Sequence, residues 1–140
     1  ALEELRELAR GIHPAILTDR GLDAALDALA ARAPVPVELD SPPTRLPPAV
    51  EAAAYYVVSE ALANVAKYAD ATYVRVSVEQ QNGSASVVVS DDGVGGADPS
   101  HGSGLRGLAD RVAALDGKLH VESIPGKGTT VRADIPLRVG

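Results

Sequence analysis

The segment "AVEAAAYYVVSEALANVAKYA" (49–69) carries three polar residues whose types suit one task. Glu60, Asn64 and Lys67 recur at i, i+4 and i+7, so a helix sets them on one stripe. That stripe borders the face made by Val50, Ala54, Val57, Val58, Ala61, Leu62 and Val65, which places it at the rim of a buried surface. A carboxylate, an amide oxygen and an ammonium there suit a hard cation with phosphates, because Mg²⁺ takes Asp, Glu and Asn oxygens and keeps several waters. Taken alone, such a stripe is more often a solvated Glu/Lys face.

A second candidate is "VVVSDDGVGGADPSHGSGLRGL" (87–108), a valine run that ends in Asp91 and Asp92 before a glycine-rich stretch. An EF-hand calcium loop needs oxygens at alternate positions and a closing Glu, but counting from Asp91 the closing place holds Gly102. "GSGLRG" (102–107) fits G-x-G-x-x-G literally, yet a dinucleotide fingerprint follows a strand directly, within a βαβ unit. Here it follows the loop "ADPSH", and hairpins flank it. A mobile connector is the bland alternative, since glycine is common in loops. Position argues against it: Asp91 stands at the mouth of an apolar strand, and Gly104 to Gly107 open a helix. Helix N-terminal amides bind phosphate, and a strand-end carboxylate accepts a hydrogen bond from an amino group such as that of adenine. The loop and the polar stripe together favour a nucleotide site.

The elements that must position these groups are legible from periodicity. "ALEELRELARGIH" has a helical apolar stripe that Pro14 stops or redirects. Thr18 or Asp19 can cap "GLDAALDALAARA", with Leu22, Ala25, Leu26 and Leu29 inward. "PVPVELD" is a short strand and "SPPTRLPP" a connector to the long helix, expected from Pro47 to about Ala69. "ATYVRVSVEQ" alternates, with Val74, Val76 and Val78 on one face; "QNG" turns the chain into "SASVVVSD". "LRGLADRVAALDG" forms a helix closed by Gly117, and "KLHVESI", "PGKG" and "TTVRADIPL" form a closing hairpin. This order predicts an α/β (α+β) two-layer sandwich: a mixed sheet of about five strands, covered on one face by about three helices.

The chain has 140 residues, enough for one domain with a core. Its net charge of −6 and lack of a Lys/Arg cluster speak against a nucleic-acid partner, as does an aromatic content of 3%. No apolar run approaches the ~18–20 residues of a membrane span, so no direct membrane contact is expected. The absence of cysteine fits a cytoplasmic protein. The chain opens on Ala1 in place of Met, which suggests an excised piece with room for a sensor or membrane anchor upstream.

The combination resembles the ATP-binding catalytic domain of sensor histidine kinases, in the gyrase/Hsp90/histidine-kinase/MutL superfamily with its Bergerat-type fold. "EALANVAKYA" resembles the N box, "DDGVG" the G1 box, "GSGLRGL" the G2 box and "GKGTTV" the late Gly-Thr element. "LRELARGIHPAILTDRGLDAAL" is similar to the passage out of the dimerization helix in the short-lid, nitrate-sensor-like subgroup. The resemblance thus divides the chain into 1–20, the end of a dimerization helix and linker, and 21–140, the ATP-binding domain.

The resemblance implies that Asp91 takes the adenine amino group, with Gly93 and Gly95 letting the backbone turn beneath the base and Thr129 supporting the adenine side. Asn64 would ligate Mg²⁺, Glu60 would sit by that metal and its waters, and Lys67 would reach a phosphate. Gly102, Gly104 and Gly107, with the amides of Leu105 and Arg106, would cradle the phosphates. Tyr68 departs from the His usual in the N box, and the chain has no Phe for an F box. No phosphoacceptor is evident: His13 precedes Pro14, and His101 and His120 look incidental. The implied activity is transfer of the ATP γ-phosphate to a histidine on the dimerization domain of the same homodimeric kinase, with a response regulator downstream. The alternatives are a nucleotide-binding regulatory module without phosphotransfer, or an anti-sigma-type serine kinase on the same fold.

Overall fold

Apolar side chains at every second position commit three strands to burying one face and exposing the other. In a computed structural model, which describes residues 15–41, 45–66, 71–93 and 103–137, this pattern builds a five-stranded sheet. The elements are α1 (Ala15–Arg20), α2 (Leu22–Ala31), β1 (Val37–Asp40), α3 (Pro48–Asn64), β2 (Val74–Gln81), β3 (Ser84–Asp91), α4 (Ser103–Ala113), β4 (Lys118–Ile124) and β5 (Gly128–Pro136). The strand order is β1-β2-β3-β5-β4. β1 runs parallel to β2 and the other pairs are antiparallel, so the sheet is mixed, as expected.

Val74, Val76 and Val78 on β2, Ala85, Val87 and Val89 on β3, and Val131, Ala133 and Ile135 on β5 are all buried. They meet Val50, Ala54, Val57, Val58, Ala61, Leu62 and Val65 from the α3 segment, with Leu22, Ala25 and Leu26 of α2 and Leu108 and Val112 of α4. The other face carries Arg75, Glu79 and Arg132, all exposed. Asn82 and Gly83, both at positive φ, make the tight β2–β3 hairpin that "QNG" announced.

The start of α3 is fixed by a buried charge. Glu51, only 2% exposed, accepts from Nε and Nη2 of Arg45 at 3.1 and 3.2 Å and from the Leu46 amide at 3.1 Å. Arg45 also reaches the Thr18 carbonyl at 3.5 Å, joining the connector before α3 to α1. The carboxylate is therefore both paired and hydrogen-bonded, the condition for burying one.

Three details differ from the sequence expectation. Thr18 and Asp19 do not cap α2: they lie inside α1, which burial of Leu17 anchors, and the N-cap of α2 is Gly21, without a side-chain cap bond. The regular α-helix of α3 ends at Asn64 and passes into a π-type turn at Val65 and Ala66, while the end expected near Ala69 lies outside the described residues. The end of α4 is a Schellman motif whose left-handed residue is Asp116 (φ 62), with the Gly117 amide bonded to the Val112 carbonyl at 2.9 Å. Gly117 is required for a different reason: a Cβ there would stand 2.6 Å from the Asp134 carbonyl oxygen and 2.8 Å from Val112 Cγ1.

Gly117→Ala is therefore expected to lose about 1–3 kcal/mol of stability through overpacking. Urea denaturation checks this; an unchanged midpoint would show that α4 and β5 separate freely.

Candidate functional site

One cross-sheet row on the helix-covered face is polar where its neighbours are apolar. The register sets Val74 beside Asp91, Asp91 beside Thr129, and Thr129 beside Ser123. Asp91 and Thr129 continue the inward rows Ala85–Val87–Val89 and Ile135–Ala133–Val131, so both belong to the inner face at one end of the sheet. Each is half-buried. The Ser123 and Thr129 hydroxyls are 2.8 Å apart. Asp91 Oδ1 accepts from the Gly93 amide at 2.8 Å, which turns the chain immediately after β3. Oδ2 has no partner among the described residues.

The adjacent carboxylate does something else. Asp92 accepts from the Thr72 amide at 2.9 Å, the Tyr73 amide at 3.1 Å and the Thr72 hydroxyl. These bonds, the Thr72 hydroxyl first, hold its carboxyl below the usual carboxylate range. They also tie the segment between α3 and β2 to the end of β3. The two aspartates thus divide: Asp91 faces inward and Asp92 holds the frame.

The beginning of β5 comes closer to β3 than any side chain permits. A Cβ on Gly128, which sits at φ 90, would lie 2.0 Å from the Asp91 carbonyl oxygen. This buried glycine has no role among the sequence-predicted site residues. Its signal was present: the "PGKG" turn uses Gly126 at positive φ, and a further glycine two residues on marks a close backbone approach.

Topology brings two more groups to this end. β1 and β2 run parallel, so α3 between them carries the chain back along the sheet and its C-terminal end lies at the Val74 end, beside Asp91. Glu60 and Asn64 are half-buried there, flanked by buried Ala61, Leu62 and Val65: at the rim, as their spacing predicts. The C-terminal end of α4 is fixed at the opposite end, where Gly117 meets Asp134. From there α4 lies across β4, β5 and α3, so its first turn, with the backbone of Gly104, Leu105, Arg106 and Gly107, points back toward the Asp91–Thr129 row. Lys67, Tyr68, Gly95, Gly102, His13 and His101 lie outside the described residues. An open cleft over Asp40, Val78 and Glu79 to Gln81 lies at the far end of the sheet and contains none of these groups.

The fold and this end of the sheet define a class. The chain belongs to the family of histidine kinase-, DNA gyrase B- and HSP90-like ATPases, whose model matches residues 49–139. Over 148 residues it is 34% identical to the sensor histidine kinase MctS of Rhizobium johnstonii, covering 97% of this chain and 32% of that protein. Over 146 residues it is 32% identical to the oxygen sensor histidine kinase NreB of Staphylococcus carnosus, covering 97% and 42% respectively. The chain spans between 25% and 42% of the length of the curated relatives it matches. Among solved structures, the blue-light activated histidine kinase of Erythrobacter litoralis EL346 superposes with a TM-score of 0.79 at 25% identity, over 96% of this chain and 50% of that one. The Acinetobacter baumannii histidine kinase AdeS shares the fold, with a TM-score of 0.69 at 18% identity over 99% of this chain and 79% of that one. Among the described residues no helix is long and apolar enough to cross a membrane.

The Asp92 contacts carry a pH dependence of known sign. A carboxyl held low in the folded state stabilises the fold above its ordinary value of 3.8, and that contribution disappears as pH falls through the lower folded value. Stability measured by urea midpoints is expected to fall on acidification below about pH 4, and Asp92→Asn is expected to flatten that limb. An identical slope in the variant would remove Asp92 from the frame.

Proposed function

We propose that this chain is the Mg·ATP-binding catalytic domain of a two-component sensor histidine kinase, and that the site lies between the Asp91–Thr129 row, the end of α3 and the first turn of α4. The observation that carries this reading is the inward pairing of Asp91 with Thr129 in an otherwise apolar layer. A carboxylate held by one oxygen, with no partner for the other among the described residues and a hydroxyl beside it, suits an amino group on a flat apolar base. Gly93 and Gly128 keep the backbone close on either side of it.

The described residues fit the metal as well. No group of three His, Asp or Glu among them stands close enough to hold a cation alone. Asn64 with Glu60 would therefore hold a cation that keeps most of its waters, which is the habit of Mg²⁺. Lys67 would add a charge for the phosphates, and the amides of Leu105 and Arg106, opened by Gly102, Gly104 and Gly107, would bind phosphate oxygens at a helix N-terminus. Gly95 would continue the turn beneath the base.

ATP supplies the γ-phosphoryl group, and this domain supplies position and charge neutralisation, which is most of what phosphoryl transfer asks of a protein. The acceptor would be a histidine on the dimerization domain of the full homodimer, so residues 1–20 form the exit from that domain and 21–140 the catalytic unit. A response regulator receives the phosphoryl group next, in the cytoplasm. The likeness to MctS and NreB, both sensor histidine kinases, supports this assignment over a module that only binds nucleotide.

Calorimetric titration should show ATP binding that Mg²⁺ strengthens. Asn64→Ala is expected to remove most of the Mg²⁺-dependent gain, about tenfold or more. Asp91→Asn should weaken even metal-free ADP by about 10- to 100-fold, the worth of a hydrogen bond to a charged group. No binding at millimolar ATP would sink the reading. In the full-length kinase, acid-labile phosphohistidine formed from ATP would separate transfer from binding alone.

A further inference from the structure

The polar stripe of α3 does not begin at Glu60. One turn earlier on the same stripe, at i−4, stands Tyr56, half-buried. The guanidinium of Arg111 lies over its ring, with Cζ 4.1 Å from the ring centroid. Arg111 belongs to α4, whose neighbours Leu108 and Val112 are fully buried against the core. Here, then, the two helices that carry opposite sides of the candidate site touch through a cation and a π face.

The spacing beyond that contact is informative. α3 runs toward the Asp91 end and α4 runs away from it, so the helices pass in opposite directions. One turn from Tyr56 toward the site is Glu60, and the next is Asn64. One turn from Arg111 toward the site is Gly107, and the next reaches the start of α4. Where a Cβ of Gly107 would stand, no heavy atom of the described residues lies within 4 Å. The packed Arg–Tyr contact is thus followed, one turn on, by Glu60 on one helix and, on the other, by a glycine whose Cβ position meets no atom of the described residues.

We propose that the Arg111–Tyr56 stack is a positioning device for nucleotide phosphates: it sets the gap between the Glu60–Asn64 stripe and the first turn of α4. Neither residue touches nucleotide. Both act through the helices they join, and the inference rests on the nucleotide reading above. Arginine suits the task because its planar guanidinium stacks on a ring at a fixed height, whereas an ammonium on a flexible stem does not. Leu108 and Val112 fix how deep α4 sits; the stack fixes where its open end points.

The test separates phosphate placement from general packing by using two ligands. Adenosine reports the Asp91 end, followed by NMR titration, and Mg·ATP reports both ends, followed by calorimetry. Arg111→Ala and Tyr56→Leu are each expected to weaken Mg·ATP by about three- to tenfold while leaving adenosine within about twofold. Tyr56→Phe, which keeps the ring, is expected to restore Mg·ATP affinity to within about twofold of the unaltered chain. Equal loss for both ligands would overturn the proposal in favour of a purely structural contact. So would a Tyr56→Phe variant as weak as Tyr56→Leu, or an Arg111→Ala variant with unchanged Mg·ATP affinity. Failure of the unaltered chain to bind Mg·ATP at all is a different result, which overturns the nucleotide reading and this inference with it.

Discussion

Having no Phe or Trp, this chain fills most of the space between sheet and helices with Val, Ala and Leu, and small side chains oblige the layers to sit close. Ala53, Ala54 and Ala61 of α3 are buried, as are Ala85 and Ala133 on the strands they cover. The layers can approach because these positions are small, and the approach determines what happens at the end of the sheet. Where the apolar rows stop, Asp91 and Thr129 occupy the next inward places, so their polar atoms enter the same narrow gap. Glu60 and Asn64 are half-buried because they flank the helix face that packs on these rows. A larger core would hold the same residues further apart.

The helix stripe was legible in the sequence because its cause is local. Periodicity alone put Val50 to Val65 inside and Glu60 and Asn64 at the rim, and the structure agrees at each of these positions. The alternation of β2 was legible for the same reason. The direct pairing of Asp91 with Thr129 was not a matter of local pattern. It joins residues 38 positions apart, and a shift of one residue in the β3–β5 register would turn the whole inward row outward. Motif resemblance named both residues without giving their contact.

The failures have equally specific causes. Thr18 and Asp19 have the chemistry of N-caps, but Leu17 gains more by burial in a helical turn of its own, so tertiary packing overrode the local signal. Gly117 looked like the left-handed end of a helix; Asp116 takes that conformation, and the glycine is there because the Asp134 carbonyl leaves no room for a side chain. Gly128 was hidden among glycines that a turn already explained. Asp92 reads as a twin of Asp91, and only the fold shows that its oxygens are spent on the backbone of Thr72 and Tyr73.

The sheet has two outer strands, and each is blunted. β1 is only four residues long, follows Pro34 and Pro36, and carries Glu38 and Asp40. β4, the other outer strand, exposes Lys118, His120 and Glu122 along one side. Short length, preceding prolines and alternating charge all discourage a second sheet from continuing the ladder. A domain with so small and aliphatic a core, rich in the valine that β-structure favours, thereby keeps its strands from serving as a template for aggregation.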